Sequence, residues 1–281
     1  LSKQNLIGID LGATNIRVAK VCDDQILNLE AAPITDKDDA DSLIQQIKNL
    51  ISSVITEDVQ AIGVGVPSVV DVEKGIVYDV QNIPSWKKVH LKDILEDQFN
   101  VPTFINNDAN CFALGEKHFG VGKEYSSMVG LILGTGFGSG LIFNNKLYSG
   151  ANCGAGEVGM LPYKKSIFEH YCSGQFFEIH KNTSGIDIFE KAQNGDDAAL
   201  SIYKELGQNI GDAIKAVVYT YDPELIVLGG SGSKGFSFFK DEMFKSMNDF
   251  AYTNSMKHLK IEVSKLEQVA VLGAAALFLD H

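Results

Sequence analysis

Residues 6–10 and 16–21 are apolar-rich runs separated by Gly12-Ala13-Thr14-Asn15, a pattern that predicts a hairpin. Leu43, Ile47, Leu50, Ile51 and Val54 then recur at helical spacing, so one stripe of a helix over 40–55 should face a core. The run AIGVGVP at 61–67 is nearly all apolar and ends in proline, which suits a strand buried on both faces. LKDILEDQF followed by VPTFIN repeats the order helix then strand. In NNDANCFALGE, at 106–116, three good N-cap residues precede a helical pattern, placing a helix N-terminus at a strand's carboxyl end. From Met128 the grammar restarts: MVGLILGTGFGSGLIFNNKLYSG reads strand, glycine turn, strand, Asn-Asn turn, strand. A long helix over about 197–221, the apolar strand of PELIVLGG and an apolar final helix, VAVLGAAALFLD, complete the outline. The second hairpin echoes the first, which suggests two related lobes.

Composition narrows the function classes. The 281 residues give room for two lobes with a cleft. A formal charge of −12, with Arg17 the sole arginine, leaves no basic stripe for nucleic acid. Cys22, Cys111, Cys153 and Cys172 are scattered without a Cys-x-x-Cys pair, as expected of reduced thiols in a cytoplasmic protein. No apolar run approaches the ~18 residues of a membrane span, and the chain passes from Leu1-Ser2-Lys3-Gln4 straight into a strand, so neither insertion nor secretion is expected.

Three glycine turns follow strands: Asp10-Leu11-Gly12-Ala13-Thr14, Gly134-Thr135-Gly136-Phe137-Gly138-Ser139-Gly140 and Gly229-Gly230-Ser231-Gly232. Each alone serves an ordinary hairpin or loop. A set of three points instead to backbone N–H groups that cradle phosphates in two turns, while the third lets an adenine and ribose lie against bare backbone. Asp10 beside the first turn could hold a hydrated Mg²⁺. The first turn runs on into a strand and lacks Gly-Lys-Ser/Thr, so it is no Walker loop; the second has alternating glycines and no following helix, so it is no dinucleotide fingerprint. Asp108 can cap the helix that it opens or take a proton from an attacking substrate hydroxyl. Glu157, flanked by glycines in GAGEVG, can be a solvated loop acid or the partner of a polyhydroxyl ligand.

The opening turn, GVGVPS, NIPSW, NNDAN, GTGFGSG, GAGEVG, DPELIVLGG and LGAAAL occur in an order and spacing that resembles the ROK family (repressors, open reading frames, kinases) over essentially the whole chain. The resemblance implies an α/β, actin-like, hexokinase-type (ribonuclease H-like) two-lobe ATPase fold whose central cleft holds a sugar. Residues 1–111 would form a small lobe on which the last helix, about 269–281, packs back, and 112–268 a larger one. It also implies ATP-dependent phosphorylation of a hexose hydroxyl, glucose or a relative at O6, with ATP and Mg as cofactors, in a cytoplasmic homodimer. Asp108 is then the general base, and Asn82, Asn107, Glu157 and Glu169 hold sugar hydroxyls. Ser68, beside the sugar site, stands where glycine is usual. Asp10, Gly12, Thr14, Asn15, Gly134, Thr135, Gly136, Gly229 and Gly230 surround Mg-ATP, with Asp10 reaching the metal through water.

Two departures from the family pattern matter. Met160 stands where a histidine is usual, and LPYKKSIF is too short, and free of cysteine, for the family's zinc loop. Residues 160–178 offer only His170 and Cys172 as soft ligands, so no zinc site is expected. The remaining alternative is a sugar-binding regulator or sensor without strong kinase activity. A sensor would be expected to lose the base or the turns, and Asp108, Asp10, Thr14 and Thr135 are all present. A repressor would need a winged helix ahead of the first strand, where five residues stand; none is expected.

Overall fold

The computed structural model describes residues 4–281. By their contacts these divide into two compact units. The first holds the described chain up to Glu124 together with Gly140–Ala155 and Lys265–His281; the second holds Tyr125–Ser139 and Gly156–Ser264.

In chain order, the first stretch comprises β1 (Asn5–Leu11), β2 (Asn15–Cys22), β3 (Gln25–Pro33), α1 (Ala40–Val54), β4 (Ala61–Val66), β5 (Val70–Asp71), β6 (Ile76–Tyr78), β7 (Lys88–His90), α2 (Leu91–Phe99), β8 (Thr103–Asn107) and α3 (Asp108–His118). There follow β9 (Met128–Leu133), β10 (Phe137–Phe143), β11 (Lys146–Leu147), β12 (Pro162–Tyr163), β13 (Ser166–Ile167), α4 (Glu169–Cys172), α5 (Gln175–Lys181), α6 (Gly185–Gln193) and α7 (Asp197–Tyr221). β14 (Leu225–Gly229), α8 (Phe236–Ser246), α9 (Thr253–His258), β15 (Lys260–Val263) and α10 (Val269–Asp280) end the chain.

The two main sheets repeat one strand order. The first runs β3-β2-β1-β4-β8 and the second β11-β10-β9-β14-β15. In each, the third strand of the list pairs in parallel with the fourth, and the fourth with the fifth. One of the points at which the chain passes from one unit to the other falls inside β10, between Ser139 and Gly140.

Local chemistry sets the element ends. Asp39 caps α1 by accepting from the N–H groups of Asp41 and Ser42, and Asp196 caps α7 through Ala199 N–H. Asn100 and Asp222 take left-handed conformations that end α2 and α7. Asn144 and Asn145 both have positive φ, the geometry of a two-residue hairpin turn. On α1, Leu43, Ile47, Ile51 and Val54 are buried against Ile7, Ile9, Ile62 and Val64, each such side chain contributing roughly 1.5–3 kcal/mol. Leu50, expected in that stripe, is only partly buried at its margin. The opposite face of the sheet receives α10: Val271, Leu272 and Ala275 pack with Leu6, Ala19, Val21 and Ala61. All six residues of β4 are therefore buried.

Candidate functional site

In the first unit, β1 and β2 set Asp10 directly opposite Arg17. Arg17 Nη1 donates to Asp10 Oδ2 at 2.9 Å. Burial raises the Asp10 pKa, and the guanidinium pulls the other way without cancelling it. The chain's only arginine is thus engaged with a hairpin carboxylate. The adjoining turn closes through Gly12 N–H to Asn15 O at 2.9 Å, and Asn15 Nδ2 donates to Thr14 Oγ1 at 2.9 Å. That bond leaves the Thr14 hydroxyl hydrogen available to a ligand, and both side chains are exposed.

β8 delivers Asn107 as the N-cap of α3, accepting from Ala109 N–H at 2.9 Å, and Asp108 as the first helical residue. Asp108 Oδ1 also accepts from Ala109 N–H, at 2.8 Å. The partial positive charge of the helix N-terminus favours the ionised carboxylate there. Behind the pair, buried Asn106 organises the backbone: its Oδ1 accepts from Asn107 N–H at 2.8 Å, Asn110 Nδ2 at 2.9 Å and the Cys153 thiol at 3.2 Å. Asn107 Nδ2 reaches Ser68 O at 3.4 Å, while the Ser68 hydroxyl donates to Tyr78 O. Ser68, Asn107 and Asp108 therefore lie together, and Asn82 is exposed in the turn before Ile83. Cys111 lies near both Asp108 and Asp10: burial, then Asp108, then Asp10 push its thiol pKa well up.

In the second unit, the turn after β9 closes like the first, through Gly134 N–H to Gly136 O at 3.0 Å, with Thr135 exposed. Gly229 ends β14, and Gly230 follows at φ 79°, where a Cβ would stand 2.5 Å from Leu133 O. Both turns open on a pocket of about 560 Å³ whose rim includes Gly134, Thr135, Gly174, Ser231 and Gly232. Phe177, Ile186, Phe189 and Tyr203 give it apolar walls, and Lys234 lines it as a cation. Apolar walls beside exposed glycine backbone suit a flat heterocycle carrying phosphates.

Glu157 is an exposed residue of GAGEVG, yet desolvation and then the like charge of Glu169 raise its pKa. Glu169 opens α4, and both of its carboxylate oxygens are engaged: Oε2 by Phe137 N–H and Oε1 by Gln175 Nε2, each at 3.0 Å. Between these two acids runs the hairpin of β12 and β13, turned by Lys164 at positive φ. Tyr163 stacks on Phe168 at 4.4 Å between centroids, and its hydroxyl donates to Asp212 Oδ2 at 2.6 Å. Burial, then that hydrogen bond, raise the Tyr163 pKa strongly. His170 Nδ1 meets Ser166 Oγ at 2.6 Å, Cys172 is buried and Met160 is exposed. Among the described residues, no group of three His, Cys, Asp or Glu side chains converges as a metal site.

Sequence reasoning assigned no role to Arg17 or Gln175, and to Asn106 only that of an N-cap candidate, whereas Asn107 is the cap. Arg17 was findable, because a tight turn after Asp10 brings the two residues opposite each other. Asn106 stands among the N-cap candidates of NNDAN, but its bond to the Cys153 thiol, like that of Gln175 to Glu169, forms only once the chain has folded.

Comparison with known proteins supplies the family. A glucokinase of Thermotoga maritima is 27% identical over 314 residues, covering 100% of this chain and 99% of that protein. A xylose repressor of Caldicellulosiruptor bescii is 27% identical over 321 residues, 98% of this chain and 78% of the repressor. A ROK family glucokinase from Streptomyces griseus, solved in complex with glucose and AMPPNP, has a TM-score of 0.80 at 25% identity and covers 97% of this chain and 98% of its own. With the ROK family model matching residues 6–281, this chain belongs to the ROK family and has its hexokinase-type, actin-like α/β fold.

Proposed function

We propose that this protein is a sugar kinase that transfers the terminal phosphoryl group of ATP to a hexose hydroxyl, O6 of glucose or of a close relative. The observation that carries this reading is the pocket of about 560 Å³ opening on two glycine turns, in a chain that also carries a carboxylate at a helix N-terminus among amide side chains. Its apolar walls, Phe177, Ile186, Phe189 and Tyr203 among them, suit an adenosine, and the Gly134–Gly136 turn receives phosphate oxygens. Asp10 suits a hydrated Mg²⁺: Arg17 takes Oδ2, Oδ1 is left for a metal-bound water, and Mg²⁺ is usually held by one or two carboxylates plus phosphates. When bound, Mg-ATP supplies the phosphoryl group and neutralises charge developing on it.

The protein's own part is positioning and one proton transfer. Asn107, Glu157 and Glu169 orient sugar hydroxyls, Asn82 adds a further amide and Ser68 O holds the Asn107 side chain. Asp108 accepts the proton of the attacking hydroxyl as the oxygen–phosphorus bond forms. To contacts with the donor's phosphates we assign Thr14, Asn15 and Thr135, with Gly12, Gly136, Gly229 and Gly230. We place the protein in the cytoplasm as a homodimer.

A coupled ADP-release assay with ATP or polyphosphate as donor, against glucose, mannose, fructose and N-acetylated hexoses, tests the reading. Turnover of at least one hexose supports it. The similarity to a xylose repressor favours the rival, a sugar-binding regulator, which would bind a sugar in calorimetry and turn over none.

A further inference from the structure

The Glu169 carboxylate is built into the turn that the proposed function assigns to the phosphate donor. Its Oε2 accepts from Phe137 N–H at 3.0 Å, and a Cβ on Gly136 would stand 2.7 Å from the same oxygen. The turn is thus packed directly against the carboxylate. On the other side, Gln175 Nε2 donates to Oε1 at 3.0 Å, and Gln175 itself lines the pocket together with Gly134 and Thr135. The segment between them is tied to the same turn. Gly174 N–H donates to Gly134 O at 2.8 Å, the Ser173 hydroxyl to Glu169 O at 2.7 Å, and Gln175 N–H to Ser173 Oγ at 3.2 Å.

A carboxylate has about four acceptor sites. Two are occupied from the donor side, and the others remain for sugar hydroxyls. Charge-assisted bonds are short and directional, so a sugar that fixes the orientation of this carboxylate also fixes Phe137 N–H and the Gln175 side chain. From this arrangement, and resting on the kinase reading above, we propose that Glu169 is a positioning residue for the phosphate-binding turn. Through Gln175 and Phe137 N–H it makes sugar and nucleotide bind with positive cooperativity. Coupling of this kind is reciprocal: sugar tightens nucleotide by the same factor as nucleotide tightens sugar.

The test is titration calorimetry of ADP and of adenosine onto the whole protein, with and without saturating sugar, in wild type and in Gln175→Met, which keeps the side chain's length and removes its amide. Glucose, mannose and N-acetylglucosamine are the sugars. In wild type, saturating sugar should lower the Kd for ADP by roughly 5- to 150-fold, the usual span of coupling, and leave that for adenosine nearly unchanged. Gln175→Met should bring the ADP ratio close to one while its sugar Kd without nucleotide stays within about twofold of wild type. Should the variant keep the wild-type ratio, or lose sugar affinity in the absence of nucleotide, the coupling does not run through Gln175 and the inference falls alone. Should neither nucleotide nor any of the sugars bind to wild type, the kinase reading falls and this inference with it.

Discussion

Among single side chains, Asp108 carries the most testable assignment. Its carboxylate sits on the first residue of α3, held by Ala109 N–H, in a place where exchanging an oxygen for an amide leaves the capping by Asn107 intact. Asp108→Asn should therefore fold normally and lower kcat by at least ~10²-fold, the lower range of what a general base contributes. Circular dichroism and steady-state rates check both halves, and a folded variant within a few-fold of wild type would remove Asp108 from the base role. Glu157 supplies a pH signature. Burial and Glu169 raise its pKa in the folded protein, so the fold takes up a proton between the ordinary glutamate value of 4.5 and the raised one. Its contribution to stability is thus greatest below that window and declines as pH rises through it. Sugar hydroxyls that donate to Glu157 need the ionised form, so the sugar KM should fall as pH rises through the same window. Glu157→Gln should flatten that limb, and a KM profile unchanged by the substitution would count against Glu157 as a sugar partner.

The elements differ in how openly the sequence declares them. α1, α2, α7 and the hairpin of β1 and β2 stand close to where periodicity puts them, because each carries its own stripe, cap or turn. β3 was not legible: QILNLEAAP leaves Leu27 and Leu29 exposed, so it has no alternating buried face to read. Among the described residues the short β5, β6 and β7 pair only with one another, and they are specified by pairing across up to fourteen residues rather than by a pattern of their own. The candidate site divides likewise. Glycine turns and the Asn-Asp helix start are local and visible, whereas Gln175 reaches Glu169 only after α4 and the following turn have folded. The hairpin of β12 and β13 illustrates what a local pattern leaves out. Its anchor lies some fifty residues downstream, where the Tyr163 hydroxyl meets Asp212 Oδ2 at 2.6 Å and Asn209 Oδ1 at 3.1 Å. Lys164 Nζ reaches the same Asn209 oxygen, and Asn209 Nδ2 holds Tyr171 O at 3.3 Å. This staple fixes the only chain segment between Glu157 and Glu169. Tyr163→Phe should cost roughly 1–3 kcal/mol in urea unfolding, since it takes the hydroxyl donor from the Asp212 carboxylate while Asn209 keeps Lys164. It should also raise the sugar KM more than the ATP KM; an equal rise in both would mean that the hairpin does not set the spacing of the two acids.

For the molecule as a whole, the same hairpin bears on metal content and on substrate range. A closed zinc site wants four Cys or His ligands in a tetrahedron. Between 160 and 178 the chain has only His170 and Cys172, and the structure gives each another task. His170 Nδ1 is joined to Ser166 Oγ at 2.6 Å, while Cys172 is buried, with its thiol pKa pushed well up by burial and then by Asp212. A thiol held in its protonated form is a poor ligand. The aromatic packing of Tyr163 on Phe168 and of Tyr171 on His180, at 4.3 Å between centroids, supplies the cross-linking there. We therefore expect purified protein to carry no stoichiometric zinc, and EDTA to leave the Tm of the nucleotide-free protein unchanged. Near-equimolar zinc in elemental analysis would overturn this. Substrate range follows from Met160, which is exposed and stands where the family pattern implies an imidazole. A thioether is only a weak acceptor, so one hydrogen bond that could select a sugar hydroxyl is lost. Selection by a hydrogen-bonded hydroxyl reaches ~10⁴, whereas apolar contact rarely exceeds ~10². Glucose and at least one further hexose should accordingly be phosphorylated with kcat/KM values within about 10² of each other. Met160→His should widen that gap, and confinement of wild-type activity to a single sugar in the panel would show that selectivity is set elsewhere.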